Sequence, residues 1–367
     1  MEANKGMRIL WINHRDPKHP EAGGSEAHIA EVGKRLVMGG HEITLLCERF
    51  NSSKPEEELY GMKIMKFGGK FTLHCYAPYF VKKNSENFDI IIDDIAHAVP
   101  FWSPKFTKKP VVAIIHHVHQ KVLKRELNPI LAYIVAHAEK SIKNIYEHII
   151  AVSQTTKREL IEQLGLNEQN ITVIRYGIDH VKYKPGPKFD EPTVLWIGRM
   201  KKYKNLEHIV VAFKLVKQKI KNARLILAGD GRERFKIESL IRSKGINNIT
   251  FTGWVSGEDK VRLLQGAWCI VYASDTEGWG MGILEAAACK TPAVAYNSGS
   301  LRESIIDGET GLLAEYGNVQ DLAQKMIKIL GDGDLREKFS ENALSFSYNF
   351  DWDKTAEQTE KYLEYLL

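Results

Sequence analysis

At 367 residues, with 44% hydrophobic and 26% charged side chains, the chain is long enough for two globular domains and too apolar for disorder. No run reaches the roughly 18 uncharged apolar residues of a membrane-spanning helix, and the opening Met1-Glu2-Ala3-Asn4-Lys5 lacks an apolar secretion signal, so a cytoplasmic protein is expected. The formal charge of +5 is too small for a dedicated nucleic-acid binder, and it is uneven: residues 1–190 carry 27 Lys+Arg against 22 Asp+Glu, whereas residues 191–367 carry 24 of each.

Short β-rich apolar runs alternate with longer amphipathic segments, the signature of parallel α/β units. The first round predicts strands at Met7–Asn13, His41–Cys47, Met62–Phe67, Asp89–Asp93, Val111–Ile115, His148–Val152 and Ile171–Arg175. Between the first two, a helix capped by Ser25 runs to the Gly39-Gly40 stop, and Ser153 caps a later helix through Leu164. A turn-rich stretch, 182–192, with Pro185, Gly186, Pro187 and Pro192, breaks the pattern. The second round predicts strands at Thr193–Ile197, Arg224–Ala228, Ile249–Thr252, Cys269–Ala273 and Ala293–Tyr296, with helices near 205–219, 232–244, 258–266, 282–289 and 319–330. The expected organisation is two doubly wound domains, 1–184 and 193–350, a linker at 185–192 and a terminal helix at 351–367. Cys47, Cys75, Cys269 and Cys289 are scattered among mostly apolar neighbours and read as buried reduced thiols.

Ligands of doubly wound sheets bind beyond the carboxyl ends of the strands, so chemistry is expected in the strand-to-helix loops. The densest pattern follows the strand at 269–273: Asp275-Thr-Glu277-Gly278-Trp-Gly280-Met281-Gly282-Ile-Leu-Glu285. Its glycines let backbone N–H groups approach a ligand, and the helix opening near Met281 aims its positive end at a phosphate. Glu285 is suited to the hydroxyls of a ribose, and Glu277 to the other end of the same ligand; a capped helix with solvated glutamates accounts for the same spacing. A second cluster, Gly198-Arg199-Met-Lys201-Lys202-Tyr-Lys204, also follows a strand, where Arg199 and Lys204 can clamp a diphosphate or simply solvate a loop.

Gly23-Gly24 opens the first helix. No Gly-x-Gly-x-x-Gly occurs, because Gly229-Asp-Gly231 is followed by Arg234 where the third glycine belongs, and a dehydrogenase is disfavoured. His116-His117-x-His119 follows the strand at 111–115 and should bring an imidazole into the open; a zinc site is the alternative, without an evident further ligand. Asp332-Gly-Asp334 and Asp351-Trp-Asp353 fall at helix starts and read as caps rather than metal ligands.

Together these residues resemble the retaining nucleotide-sugar glycosyltransferases of family 4, with the GT-B fold, over nearly the whole chain. The likeness is most specific from Glu277 through Glu285-Ala-Ala-Ala-Cys-Lys-Thr-Pro and at Asp307-Gly-Glu-Thr-Gly311. The resemblance implies two Rossmann-like domains facing across a cleft. It assigns the donor sugar to Glu277, the ribose to Glu285, the diphosphate to Arg199 and Lys204 with Gly278, Gly280, Met281 and Gly282, and phosphate contacts to Gly23 and Gly24. It places Trp254 and Val255 beside the base and His116 near the transferred sugar, with His117 and His119 as rivals. The terminal helix is expected to cross back onto the first domain. Lys290 departs from the pattern, standing where the family has glycine after the helix, so either a left-handed cap is strained by about 1 kcal/mol or another turn is used.

The expected activity is transfer of a hexose from a nucleoside diphosphate sugar to a glycan, lipid-linked or small-molecule hydroxyl, with retained configuration and neither metal nor cofactor. Catalytic roles fall to Glu277, His116, Arg199 and Lys204. A nucleotide-sugar 2-epimerase of the same architecture and a non-catalytic sugar-nucleotide-binding protein remain as alternatives. No nucleic-acid partner is expected. The basic N-terminal half suggests an anionic acceptor or peripheral contact with the cytoplasmic face of a membrane, through Lys82, Lys83, Lys105, Lys108, Lys109, Lys121, Lys124 and Arg125, or else ordinary solvated lysines.

Overall fold

The computed structural model describes residues 6–51 and 53–367; the opening pentapeptide considered above lies outside them. The chain forms two compact units, 1–177 with 352–367, and 178–351. The described residues of the first unit build an eight-stranded sheet from β1 (Arg8–Ile12), β2 (Glu42–Cys47), β3 (Glu56–Leu59), β4 (Met62–Lys66), β5 (Ile90–Ile95), β6 (Val111–Ile115), β7 (His148–Ala151) and β8 (Ile171–Val173). Their order is β3-β4-β2-β1-β5-β6-β7-β8, parallel except for β3. The central strands are buried on both faces, as helices on both sides of a sheet require.

Sequence and structure part company in several places. The edge strand β3 was not expected, because Glu-Glu-Glu-Leu has no β-branched residue; it is held antiparallel to β4 by the two-residue loop Tyr60-Gly61, both at positive φ. The helix Leu73–Asn84 was also missed, since Pro78 sits inside it. Helix Gly24–Met38 starts at Gly23, not at Ser25: the Glu26 carboxylate accepts from the Gly23 N–H at 2.6 Å. Ser153 does cap its helix, accepting from the N–H of Thr156. Of the four cysteines, Cys75 is exposed and the other three are buried.

The second unit holds β9 (Thr193–Ile197), β10 (Arg224–Ala228), β11 (Ile249–Gly253), β12 (Cys269–Tyr272), β13 (Ala293–Tyr296) and β14 (Gly311–Ala314), all parallel, in the order β11-β10-β9-β12-β13-β14. β14 escaped the sequence pattern, and of the helix Gly333–Ser347 only the start was expected, where Asp332 caps by accepting from the N–H of Leu335. Segment 185–192, expected as a linker, is instead fastened inside this unit. Lys188 donates to the Ala267 carbonyl at 3.0 Å, the Trp268 indole donates to the Phe189 carbonyl at 2.7 Å, and the Phe189 ring fills the space beside Gly266. The chain passes between units at Gly177/Ile178 and Asp351/Trp352, and Ile178 and Asp351 form a parallel bridge.

Helix Trp352–Tyr365 belongs to the first unit, burying Trp352, Thr355, Ala356, Thr359 and Leu363 along one stripe against helix Gly24–Met38. Arg35 pairs with Asp353, and the His41 ring bonds Glu360 at 2.7 Å. This return changes the charge distribution: by unit the counts are 26 Lys+Arg against 24 Asp+Glu, and 25 against 22. The excess of the N-terminal half therefore does not survive folding, because the last helix brings four acids and two lysines back to it.

Candidate nucleotide-sugar site

In the second unit the strand order reverses between β9 and β12, which pair directly through Val194–Cys269 and Leu195–Ile270. Such a switch point is where an open α/β sheet has room for a ligand. The loops after these two strands are 198–205 and 274–280. They bring together two of the expected residues: the Lys204 ammonium donates to Oε1 of Glu277, with both side chains mostly shielded. Burial opposes the charge on Lys204, but the neighbouring Glu277 and Tyr203 outweigh it and hold the ammonium above its ordinary pKa. Asn205, at positive φ, fixes the same corner by donating to the Ala273 carbonyl at 2.9 Å and to Asp275 at 2.7 Å. Arg199 is half-buried beside Gly198 in this loop.

Gly280 takes a left-handed conformation at the start of helix Met281–Ala288, and a Cβ there would meet Ser304 Oγ at 2.8 Å. Gly282 lies against the Tyr272 hydroxyl, which a Cβ would meet at 2.1 Å; that hydroxyl donates to the Ile197 carbonyl at 2.8 Å. The helix start thus reaches the end of β9 through the Tyr272 hydroxyl, for which Gly282 leaves room. Three serines hold the 274–280 loop from the next crossover: Ser298 donates to the Ser274 carbonyl at 2.6 Å, Ser300 to the Glu277 carbonyl at 2.7 Å, and Ser304 to the Trp279 carbonyl. These serines had not been singled out, because hydroxyl-to-carbonyl bonds leave no spacing signature.

Glu285 is buried, one helical turn further along. Its carboxylate is paired with Lys260 Nζ at 2.6–2.7 Å, and the Lys260 ammonium lies 5.6 Å from the Tyr183 ring. Burial first, and then the charge of and bond to Glu285, push the Tyr183 hydroxyl well above its ordinary pKa, so it stays a donor. Neither Lys260 nor Tyr183 was foreseen. Trp254 and Val255 follow β11, the edge strand two places from β9, with Trp254 well exposed. Helix Met281–Ala288 ends with Lys290 at φ +59°, the Lys290 N–H reaching the Ala287 carbonyl and the Thr291 N–H the Ala286 carbonyl, both at 2.9 Å. This is a Schellman cap with lysine where glycine is ordinarily found.

In the first unit, Gly23 and Gly24 open their helix as expected. His116 does not present a free imidazole. It is buried, with one ring nitrogen on Asp94 and the other on the Tyr176 hydroxyl, while the Trp11 indole donates to the second Asp94 oxygen at 3.0 Å. His28 stacks on Tyr176 with centroids 4.9 Å apart. His117 is half-buried against His119, 3.9 Å between ring centroids, and His119 is tied to Glu139 at 3.0 Å. The triplet thus resolves into an inward histidine, an intermediate one and one committed to a helix. Among the described residues, no group of three or more His, Cys, Asp or Glu is placed to hold a metal ion. Among the same residues, no helix is long and apolar enough to cross a membrane.

The family model described as Glycosyltransferase Family 4 matches residues 22–182, and the one described as Glycosyl transferases group 1 matches residues 179–346. This chain belongs to the GT-B glycosyltransferases. A glycosyltransferase of Methanocaldococcus jannaschii is 27% identical, the match covering 98% of this chain and 99% of that one. The fold matches sucrose-phosphate synthase from Thermosynechococcus elongatus with a TM-score of 0.83 at 21% identity, over 97% and 98% of the two chains. It matches Anabaena HepE in complex with UDP-glucose with a TM-score of 0.78 at 19% identity, over 98% and 99%. The GT-B chain described here therefore carries its candidate donor loops on the second of its two Rossmann-like units.

Proposed function

We propose that this glycosyltransferase moves a hexose from a nucleoside diphosphate sugar to an acceptor hydroxyl, with retained anomeric configuration and no metal ion. The observation that carries the reading is the meeting of Lys204 and Glu277 at the switch point, beside Arg199 and a glycine-led helix start. A departing diphosphate gains negative charge as the glycosidic bond breaks. Arg199, Lys204 and the N–H groups at Met281 and Gly282 supply fixed positive ends for that charge, the interaction that lowers a barrier rather than merely tightening binding. Glu277 turns its carboxylate to sugar hydroxyls while still orienting Lys204, Glu285 accepts from the ribose, and Trp254 and Val255 flank the base. His116, bonded on both ring nitrogens, acts as a positioning residue for its loop.

The acceptor is a glycan, a lipid-linked sugar or a small molecule, and the protein works in the cytoplasm. UDP-glucose in the HepE structure makes UDP-sugars the first donors to try. Incubation with UDP-, GDP- and ADP-hexoses, with and without EDTA, tests the reading when products are resolved by NMR. Transfer or slow donor hydrolysis giving an α-anomer from an α-donor, unaffected by EDTA, is the expected result. A changed sugar epimer would instead mark an epimerase, and donor binding without turnover a non-catalytic binder. Rescue of a chelated enzyme by one divalent cation would overturn metal independence.

A further inference from the structure

The first unit has a switch point of its own. Its strand order reverses between β1 and β5, and the loops after these adjacent strands bring His14 and His97 together, 5.0 Å between ring centroids. Helix Leu73–Asn84 opens onto the same corner: His74, in its first turn, shares a hydrogen bond with His14 at 2.8 Å and stacks on Phe101. Along this helix the aliphatic residues Leu73, Ala77 and Val81 are buried, whereas the large apolar side chains exposed on the helix and on the loop before it are all aromatic: Phe67 by 48%, Phe71 by 78% and Tyr79 by 57%. Phe67 stacks on Tyr76 with the rings 11° from parallel, and Tyr76 lies 6.2 Å from Tyr79, one helical turn on. The loop is fixed by Gly68 at positive φ and by Thr72 Oγ1, which accepts from the Gly69 N–H at 2.8 Å. The rings are thus ordered in advance of any ligand, which removes part of the cost of binding one.

The charge along this stretch has one sign. Residues 59–85 include Lys63, Lys66, Lys70, Lys82 and Lys83 and contain no aspartate or glutamate. Lys66 is buried against Asp16 and Glu57, but Lys70, Lys82 and Lys83 are exposed, and Lys83 Nζ lies 5.8 Å from the Tyr79 ring. A pyranose ring presents a face of positively polarised C–H bonds, which settles on the negative face of an aromatic ring, and an acidic group carried by the sugar meets the lysines at the rim. A lipid leaflet would be met by aliphatic side chains, and this helix turns its own inward.

We propose that Phe67, Phe71 and Tyr79, rimmed by Lys70, Lys82 and Lys83, bind an acidic glycan chain and lead its end to the His14–His74 corner. The inference rests on the transfer reading in naming that chain as the acceptor; binding itself needs no transfer. Cys75, exposed beside Tyr76, supplies a reporter, since a chain lying on the platform should slow its alkylation. The whole protein is titrated by calorimetry with galacturonate, hyaluronan and heparin hexasaccharides, and with maltohexaose, hexaglutamate and phosphatidylglycerol vesicles, beside donor hydrolysis in solution. At least one acidic hexasaccharide should bind and protect Cys75, with maltohexaose and hexaglutamate at least about tenfold weaker. Phe71→Ala with Tyr79→Ala should weaken that binding at least about tenfold, and Lys82→Gln with Lys83→Gln should narrow the preference for the acidic over the neutral chain, both leaving donor hydrolysis and thermal unfolding unchanged. Binding of none of the acidic hexasaccharides, binding that ignores the aromatic variant, or hexaglutamate bound as tightly as a sugar overturns the proposal. So does vesicle binding lost in the same variants with no oligosaccharide bound, which would assign the face to lipid. Glycan binding without donor hydrolysis would leave the platform intact and count against the transfer reading alone.

Discussion

Lys204 and Glu277 are 73 positions apart in sequence and share a hydrogen bond, because each lies in the loop after one of two adjacent strands. Lys204→Ala leaves the Glu277 carboxylate shielded without its cation, and should lower stability by about 1–3 kcal/mol in urea unfolding and the transfer rate by about 10²–10³-fold. Lys204→Met combined with Glu277→Gln should recover most of the stability but none of the rate. Equal recovery of both would mean that the pair only holds the loop.

Glu285 faces a different partner, and its substitution should be read in binding. Glu285→Gln keeps the shape but weakens both the Lys260 pair and any acceptor role toward ribose. Calorimetry with a nucleoside diphosphate should show about 1–3 kcal/mol less affinity. Unchanged affinity would show that the carboxylate serves only Lys260 and Tyr183. Arg199→Ala, by contrast, should act on turnover more than on nucleotide affinity.

Lys290 provides a stability test with a counterintuitive sign. At φ +59° a lysine is strained by about 1 kcal/mol relative to glycine, while its bonds to Glu337 and Glu341 are largely exposed and together contribute no more than about that. Lys290→Gly should therefore be neutral or slightly stabilising. Lys290→Ala, which keeps the strain and loses both ion pairs, should unfold at lower urea than either.

His28 is fully buried, and loss of solvation lowers its pKa from 6.5 to about 3. In the unfolded chain the same imidazole takes a proton near pH 6.5, so its neutral form stabilises the fold above that pH and the contribution is lost as pH falls toward 3. Asp93 runs the other way: burial raises its pKa to about 6, so it takes up a proton in the native state and offsets part of the loss below that. Comparing wild type with His28→Phe isolates the histidine. The wild type should lose about 2 kcal/mol relative to the variant between pH 6.5 and 5, measured by urea midpoints at each pH. Parallel pH curves would contradict a neutral buried His28.

How far the sequence reaches depends on which interactions leave a pattern. β6, β9, β10 and β13 match the expected ranges residue for residue, since a buried parallel strand is a short apolar run bounded by turns. The glycines around Met281 were legible because close backbone approach demands them. Illegible features depend on partners far along the chain. Lys260 meets Glu285 across 25 residues, Ser300 holds a carbonyl 23 residues away, and the Glu56–Leu59 strand is fixed by its turn rather than its composition. The burial of His116 was not legible, because strand ends predict where a loop lies but not whether a ring turns inward to a buried carboxylate such as Asp94. The charge of the halves misled for a related reason, as the boundary in sequence is not the boundary in space.

Because helix Trp352–Tyr365 completes the first unit, that unit has its two parts separated by all of residues 178–351. During synthesis the second unit can fold as soon as it emerges, while the first, although made earlier, waits with the surface around His28 and Tyr176 uncovered until Trp352 arrives. The older half of the chain is thus the later to be finished. Loss of the last sixteen residues would be felt where synthesis began.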